Sequence, residues 1–181
     1  MSMRRLPGGY SISGAAAAEI PALIAIDLAA GQLFAGTGML PDDALQDHVP
    51  ADILEDAVPG RHLAVVRDKA GAPAGFVMTS LRPGTLYLDQ ISVHPAHGRR
   101  GLGAALVKWV VKDARSRKRG SVTLSTFRKV PWNGPFYRRL GFREIPRKRL
   151  AFWMLEIETA QADKGLDVSQ RCFMRRKLGW L

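Results

Sequence analysis

Residues 91–103 read Ile-Ser-Val-His-Pro-Ala-His-Gly-Arg-Arg-Gly-Leu-Gly, and this stretch constrains the fold more than any other. A β-rich run ends at Val93, and Pro95 lacks the N–H needed to extend a ladder. Leu102, Leu106, Trp109 and Val110 then recur at helical spacing, which predicts a helix from about Gly101 to Arg115. Strand, glycine-rich turn and helix in that order aim unpaired N–H groups and the positive end of the helix dipole at one point, where a phosphate can sit. Gly101 and Gly103 let the main chain come close to the anion, and Arg99 and Arg100 add charge. Two known phosphate loops are excluded. No Gly-Lys pair occurs, as a P-loop requires, and Leu106 stands where the dinucleotide fingerprint needs its third glycine. A Gly-x-Gly alone also fits a turn that holds nothing.

The surrounding pattern supplies the layers. Apolar positions at helical spacing over residues 15–33 predict a first helix, and Pro41-Asp42-Asp43 opens a second with Asp as its cap. His62–Val66, Pro73–Ser80 and Leu86–Val93 are short β-rich runs parted by turn residues, an antiparallel meander. Ser121–Thr126 alternates as a strand, and Asn133–Leu140 reads as a short helix stopped by Gly141. Phe142–Ile145 is a strand candidate, residues 148–164 a helix, and Arg171–Lys177 a last strand. The class is α+β, a three-layer arrangement with a central, mostly antiparallel sheet, one crossover helix and helices on its faces.

A chain of 181 residues suffices for one domain, 1–181, and 46% hydrophobic with 24% charged residues excludes a disordered or collagen-like chain. The lone Cys172 excludes an internal disulfide and a cysteine-rich zinc site. His94 and His97 have no third ligand at a useful spacing, so no metal is expected. No apolar run approaches the ~20 residues of a spanning helix, and no signal peptide is legible. No membrane partner and a cytoplasmic location are the expectations.

Charge is uneven. Residues 1–98 hold 6 Lys/Arg against 10 Asp/Glu, and residues 99–181 hold 21 against 6, so the net +11 lies in the second half. An anionic partner follows: nucleic acid, a membrane surface or a phosphorylated cofactor. The run Arg115-Ser116-Arg117-Lys118-Arg119 fits either a solvated helix end or a phosphate contact, and the aromatic platforms of a nucleic-acid binder are absent beside it. Nucleic acid is therefore disfavoured.

Val93-His94-Pro95, then Arg99-Arg100-Gly101-Leu102-Gly103, then Tyr137-Arg138-Arg139-Leu140-Gly141-Phe142 together resemble the GNAT N-acetyltransferase superfamily. One position departs: Gly98 stands where the family carries Gln or Arg, which removes a side-chain contact but leaves the main-chain donors. The resemblance implies a splayed strand pair and acetyl-CoA as co-substrate, with its pantetheine arm along Ile91, Ser92 and Val93. It also implies a pyrophosphate on the N–H groups of Arg99, Arg100, Gly101, Leu102, Gly103 and Ala104, with Asn133 as a further cofactor contact. Tyr137 is the implied general acid toward the leaving thiolate, its bland alternative being packing with Phe136 and Phe142. Some members carry a basic Glu on the strand aligned with Ser121–Thr126, which has no carboxylate here. Asp89 is then the substitute base, since alternation puts it on the same face as Ile91 and Val93; its alternatives are a solvated strand residue, with a water chain to bulk serving as the base.

The implied activity is acetyl transfer to a primary amine on a small molecule or protein acceptor. The acidic Asp42, Asp43, Asp47, Asp52, Glu55 and Asp56 suit a cationic acceptor or merely a solvated surface. A homodimer is compatible with the chain. A catalytically inactive module that binds acyl-CoA, protein or nucleic acid is the alternative.

Overall fold

A computed structural model describes residues 4–179. Eight strands form one sheet: β1 (Arg4–Arg5), β2 (Ser11–Gly14), β3 (Leu63–Arg67), β4 (Pro73–Arg82), β5 (Thr85–Val93), β6 (Ser121–Phe127), β7 (Arg143–Glu144) and β8 (Arg171–Lys177). Their order is β1-β2-β3-β4-β5-β6-β8-β7. Every neighbouring pair is antiparallel except β5 and β6. That one parallel pair needs a crossover, and α3 (Leu102–Ser116) supplies it. The mixed, mostly antiparallel sheet agrees with the sequence expectation.

Helices cover both faces. α3 lays Leu106, Val107 and Val110 on Val77, Leu88, Val122 and Leu124, and α4 (Gly134–Arg139) joins this core through Tyr137. On the other face α1 (Ile20–Gly31) and α2 (Ala51–Ala57) bury Leu23, Ile26 and Leu54 against Val65 and Phe76. α5 (Phe152–Asp163) packs Met154 on Tyr87 and Phe173 beside them.

Three local expectations change. The segment opened by Pro41 makes only a 3-10 turn, Asp43–Gln46, and α2 begins after Pro50. Asp42 makes no capping hydrogen bond, and Pro50 sets the extended entry to α2 instead. Phe142–Ile145 shortens to the two residues of β7, because Gly141 and Phe142 close the end of α4 against Arg138 and Tyr137 carbonyls. The continuous helical stretch Ala17–Phe34 has 18 residues and mean hydropathy 1.4, by length and composition alone enough to cross a membrane. No such run was expected. In the fold its Leu23 and Ile26 are buried against the sheet, and so is Asp27.

The feature that positions the site lies in β5. β4 residues Met78 and Thr79 are adjacent, yet they pair with Gln90 and Leu88, so Asp89 is an extra residue in the ladder, a β-bulge. β5 and β6 pair only from Thr85 to Leu88 against Ser121 to Leu124. Beyond the bulge the two strands part.

Close packing holds the parted strand in place from behind. A Cβ on Gly75 of β4 would lie 2.7 Å from the Ser92 carbonyl oxygen and 3.2 Å from Val93 Cα. Gly75→Ala is therefore expected to cost about 1–3 kcal/mol, measured by urea denaturation. An unchanged midpoint would show that β4 and β5 can separate there without penalty.

Candidate functional site

The gap between β5 and β6 has a bare main-chain edge. His94 N–H donates to the Ala74 carbonyl at 2.9 Å. Bonded pairs alternate along an antiparallel ladder, so Ser92, two residues back, also bonds to β4. The Ser92 carbonyl next to Gly75 agrees. The N–H and C=O groups of Ile91 and Val93 consequently face the gap, where β6 no longer answers them.

The strand leads straight to the start of α3. Arg99 (φ 59°) and Gly101 (φ 75°) both adopt the left-handed region. For an arginine this is an unfavoured conformation of the kind that collects at functional loops. Ala105 N–H is bonded to the Gly101 carbonyl, whereas the N–H groups of Leu102, Gly103 and Ala104 belong to the first turn, which has no carbonyl of its own to receive them. Gly103 differs from Gly101: it is helical, and a Cβ there would meet only Phe136, at 3.5 Å. Arg99 is exposed and makes no hydrogen bond or ion pair among the described residues, while Arg100 Nη1 donates to Tyr10 Oη at 3.1 Å. Tyr10 in turn meets His97 Nδ1 at 2.9 Å, so His97 braces the loop, and His94 Nδ1 accepts from Ala96 N–H. Among the described residues no three His, Cys, Asp or Glu side chains gather as a metal site.

The basic run at 115–119 sits at the far end of α3, roughly 22 Å from its N-terminus. It cannot reach an anion bound there. Arg117 pairs with Asp113 at 2.7 Å and donates to the Gly60 and Arg61 carbonyls, which ties α3 to the turn after α2.

Tyr137 is buried on the α3 side of the sheet, its ring 5.1 Å from Phe136 and 5.7 Å from Phe142. Burial, and then the neighbouring Tyr87, push its phenol well above the usual range, against an opposing effect of Arg171, so it keeps its proton at neutral pH. Its helix is pressed against the end of β6. A Cβ on Gly134 would collide with the Arg128 carbonyl, so only glycine allows α4 to start there. Asn133 Oδ1 accepts from Thr126 Oγ1 at 3.0 Å, and its amide N–H groups have no hydrogen-bond partner among the described residues.

Asp89 lies on the opposite face from the one expected. Leu88 and Ile91 both point toward α3, so the bulge turns Asp89 and Gln90 together toward α1 and α5. Regular alternation fails at that residue. Asp89 Oδ1 accepts from Ser80 Oγ at 3.0 Å, and Oδ2 is buried without a partner. Burial raises its carboxyl to about 6, against opposing effects of Ser80 and Arg82.

Two further groups on this face had no motif to announce them. Asp27 of α1 is buried and accepts from Ser92 Oγ (2.6 Å), Gln90 Nε2 (2.7 Å) and Val49 N–H (2.9 Å), pinning α1 to the parted strand. Arg171, which reads in the sequence only as the start of the last strand, reaches Gln161 and Ser125 beside Tyr87. Among the described residues, none of the acidic side chains before and within α2 hydrogen-bonds to this cluster. Asp43 and Asp47 line an open groove of about 520 Å³ with Asp163 and Lys164.

Residues 32–142 match the acetyltransferase (GNAT) family. Solved structures of the same fold include the PaiA N-acetyltransferase from Thermoplasma acidophilum in complex with coenzyme A. It is 12% identical, with a TM-score of 0.72 over 98% of this chain and 100% of that one. The ribosomal-protein-S18-alanine N-acetyltransferase from Escherichia coli is 16% identical, with a TM-score of 0.66 over 95% and 96%. The N-acetylglutamate synthase from Neisseria gonorrhoeae, complexed with coenzyme A and N-acetyl-glutamate, is 16% identical with a TM-score of 0.70 over 94% of this chain and 35% of that one.

The buried carboxyl carries a stability signature. The fold holds the Asp89 proton up to about pH 6, against 3.8 for an ordinary Asp side chain. The stability gained is therefore complete below 3.8 and lost as pH rises through about 6. Asp89→Asn should raise the melting temperature at pH 8, by up to about 3 kcal/mol in stability, and the gain should shrink toward pH 4. A variant less stable than the native protein at pH 8 would show that the ionised carboxylate is well solvated or paired.

Proposed function

Because the chain belongs to the acetyltransferase (GNAT) family, we propose that it transfers the acetyl group of acetyl-CoA to a primary amine by direct attack on the thioester. The observation that carries this reading is the bare edge of β5, which opens at one end onto the N-terminus of α3 and lies between Tyr137 on one face and Asp89 on the other. The fit to the coenzyme rests on donors that have no partner among the described residues. The first-turn N–H groups of α3 and the left-handed loop before it suit a pyrophosphate. The Ile91 and Val93 main chain suits an amide-bearing arm laid alongside it. Arg99 adds a free positive charge.

The roles follow from the chemistry of these groups. Asp89, ionised above about pH 6, takes the proton of the attacking nitrogen as the C–N bond forms. An N–H of the bare edge, at Ile91 or Val93, donates to the oxyanion of the tetrahedral intermediate. Tyr137 gives its phenolic proton to the sulfur as the C–S bond breaks, and its raised pKa keeps that proton available. Return of a proton from Asp89 to Tyr137 through solvent resets the pair. The acid and the base stand on opposite faces of the sheet, so donor and acceptor enter from opposite sides and meet in the gap.

Tyr137→Phe should lower kcat by about 10²–10⁴-fold and leave acetyl-CoA affinity nearly unchanged, since the ring keeps its packing and only the late proton transfer is lost. Thiol release with an accepted amine and calorimetry with acetyl-CoA provide the two readings. Full turnover in the Phe variant would remove Tyr137 from the mechanism. For the native protein, kcat/KM should rise with pH along a limb near 6, and Asp89→Asn should abolish that limb.

A further inference from the structure

On the α1 and α5 side of the gap stands a guanidinium without a counter-ion. Arg171 Nε donates to Gln161 Oε1 at 3.0 Å, Nη2 reaches Ser125 Oγ at 3.4 Å, and the guanidinium carbon sits 4.5 Å from the centre of the Phe127 ring. These contacts fix the plane of the fork but use two of its five N–H donors. Among the described residues no carboxylate lies within 4.0 Å of it, whereas Arg67, Arg117, Arg128 and Arg147 each have one. A largely buried cation is costly unless something balances it. Burial pulls the Arg171 pKa below its ordinary value, and the groups that offset this are the Tyr87 and Tyr137 phenols and the Cys172 thiol, with no carboxylate among them.

Its setting says what could balance it. Asp89 accepts from Ser80, the partner of Tyr87 across the β4–β5 ladder, and Arg171 reaches Ser125, opposite the Phe173 that packs on Tyr87. A second cation, Arg82, lies over Trp153 against the same tyrosine. A negative and a positive group thus stand on the same face, on either side of the point where β5 and β6 part. Phe127 is continued outward by Phe34 at 5.4 Å and then by Trp132, which is 43% exposed, an aromatic wall running from the guanidinium to solvent.

We propose that Arg171 selects the acceptor: its free donors take a carboxylate on the same molecule whose amine is presented to Asp89, so the substrate is an amino acid rather than a simple amine or polyamine. The proposal rests on the transferase reading above. A planar fork matches a planar carboxylate with two parallel hydrogen bonds, which a lysine at this position could not reproduce. The opposite ends of a zwitterionic amino acid match the opposite charges beside Tyr87. An amine bearing phosphate shares the anionic oxygens, and the experiment separates the two.

The test uses matched pairs that differ only by the carboxylate: L-phenylalanine with phenethylamine, L-leucine with isoamylamine, and L-methionine with 3-(methylthio)propylamine, together with phosphoethanolamine. Thiol release by the native protein should show kcat/KM at least tenfold higher for the amino acid in one or more pairs. Arg171→Gln should raise KM for that amino acid tenfold or more and leave its decarboxylated partner unchanged. Arg171→Lys should restore part of the loss. A structural role alone would lower both members of a pair by the same factor, and that result overturns the proposal. So does preference for the simple amines or for phosphoethanolamine. Calorimetric titration of the same compounds into protein saturated with coenzyme A reads the carboxylate preference without turnover. Equal or absent binding of the amino acids there counts against this inference, whereas tight binding without thiol release from any amine counts against the transferase reading alone.

Discussion

A strand in the middle of a sheet has two edges to satisfy, and β5 satisfies both only as far as Leu88. One extra residue, Asp89, is responsible. The bulge bends the strand and adds local twist, so β5 follows β4 while β6 goes its own way with β8. Main-chain groups that water or another β-strand would normally satisfy are left bare in a gap walled by protein on both faces. The same residue rotates its own carboxylate off the α3 face and toward α1 and α5. One irregularity thus opens the gap and stocks it with a carboxyl whose burial raises it to about 6.

The rest of the molecule keeps that irregularity in register. Asp27 ties α1 to Gln90 and Ser92, so the parted strand is braced from the α1 side by a fully bonded carboxylate. Gly134 lets α4 butt against the end of β6 and fixes the Tyr137 ring between Phe136 and Phe142. The Tyr10, His97 and Arg100 contacts hold the loop that leads into α3. The site is therefore built on strands and helices with buried polar ties, and its backbone departs from regularity at the Asp89 bulge and in the left-handed loop before α3. That loop gains from the dipole of α3, worth about half a charge at its N-terminus, a field supplied by backbone rather than by side chains.

Local patterns were legible in the sequence and long-range ones were not. The meander, α3, the glycine loop and the Tyr137 helix all depend on residues within one or two turns of each other, so periodicity and turn residues sufficed. The bulge depends on the pairing of Asp89 against Met78 and Thr79, which no alternation pattern reveals, and so Asp89 was expected on the wrong face. The run at 115–119 looked available to a phosphate until the length of α3 set it at the opposite end. Asp27 lies inside the predicted first helix with nothing to mark it, because Ser92 and Gln90, its partners, are 65 and 63 residues away. Arg171 had no signal at all. Its setting comes from Ser125 and Gln161, 46 and 10 residues away, and from an aromatic ring on a neighbouring strand.

The central claim is that the bare edge beyond the bulge receives the coenzyme. Residue-resolved amide hydrogen exchange with and without acetyl-CoA reads it directly. The account predicts that acetyl-CoA slows exchange at Ile91, Val93 and the first-turn residues Leu102, Gly103 and Ala104. Ser92, whose N–H is already bonded to β4, should stay as it was. Protection that spares Ile91 and Val93, or that falls equally on Ser92, would contradict it.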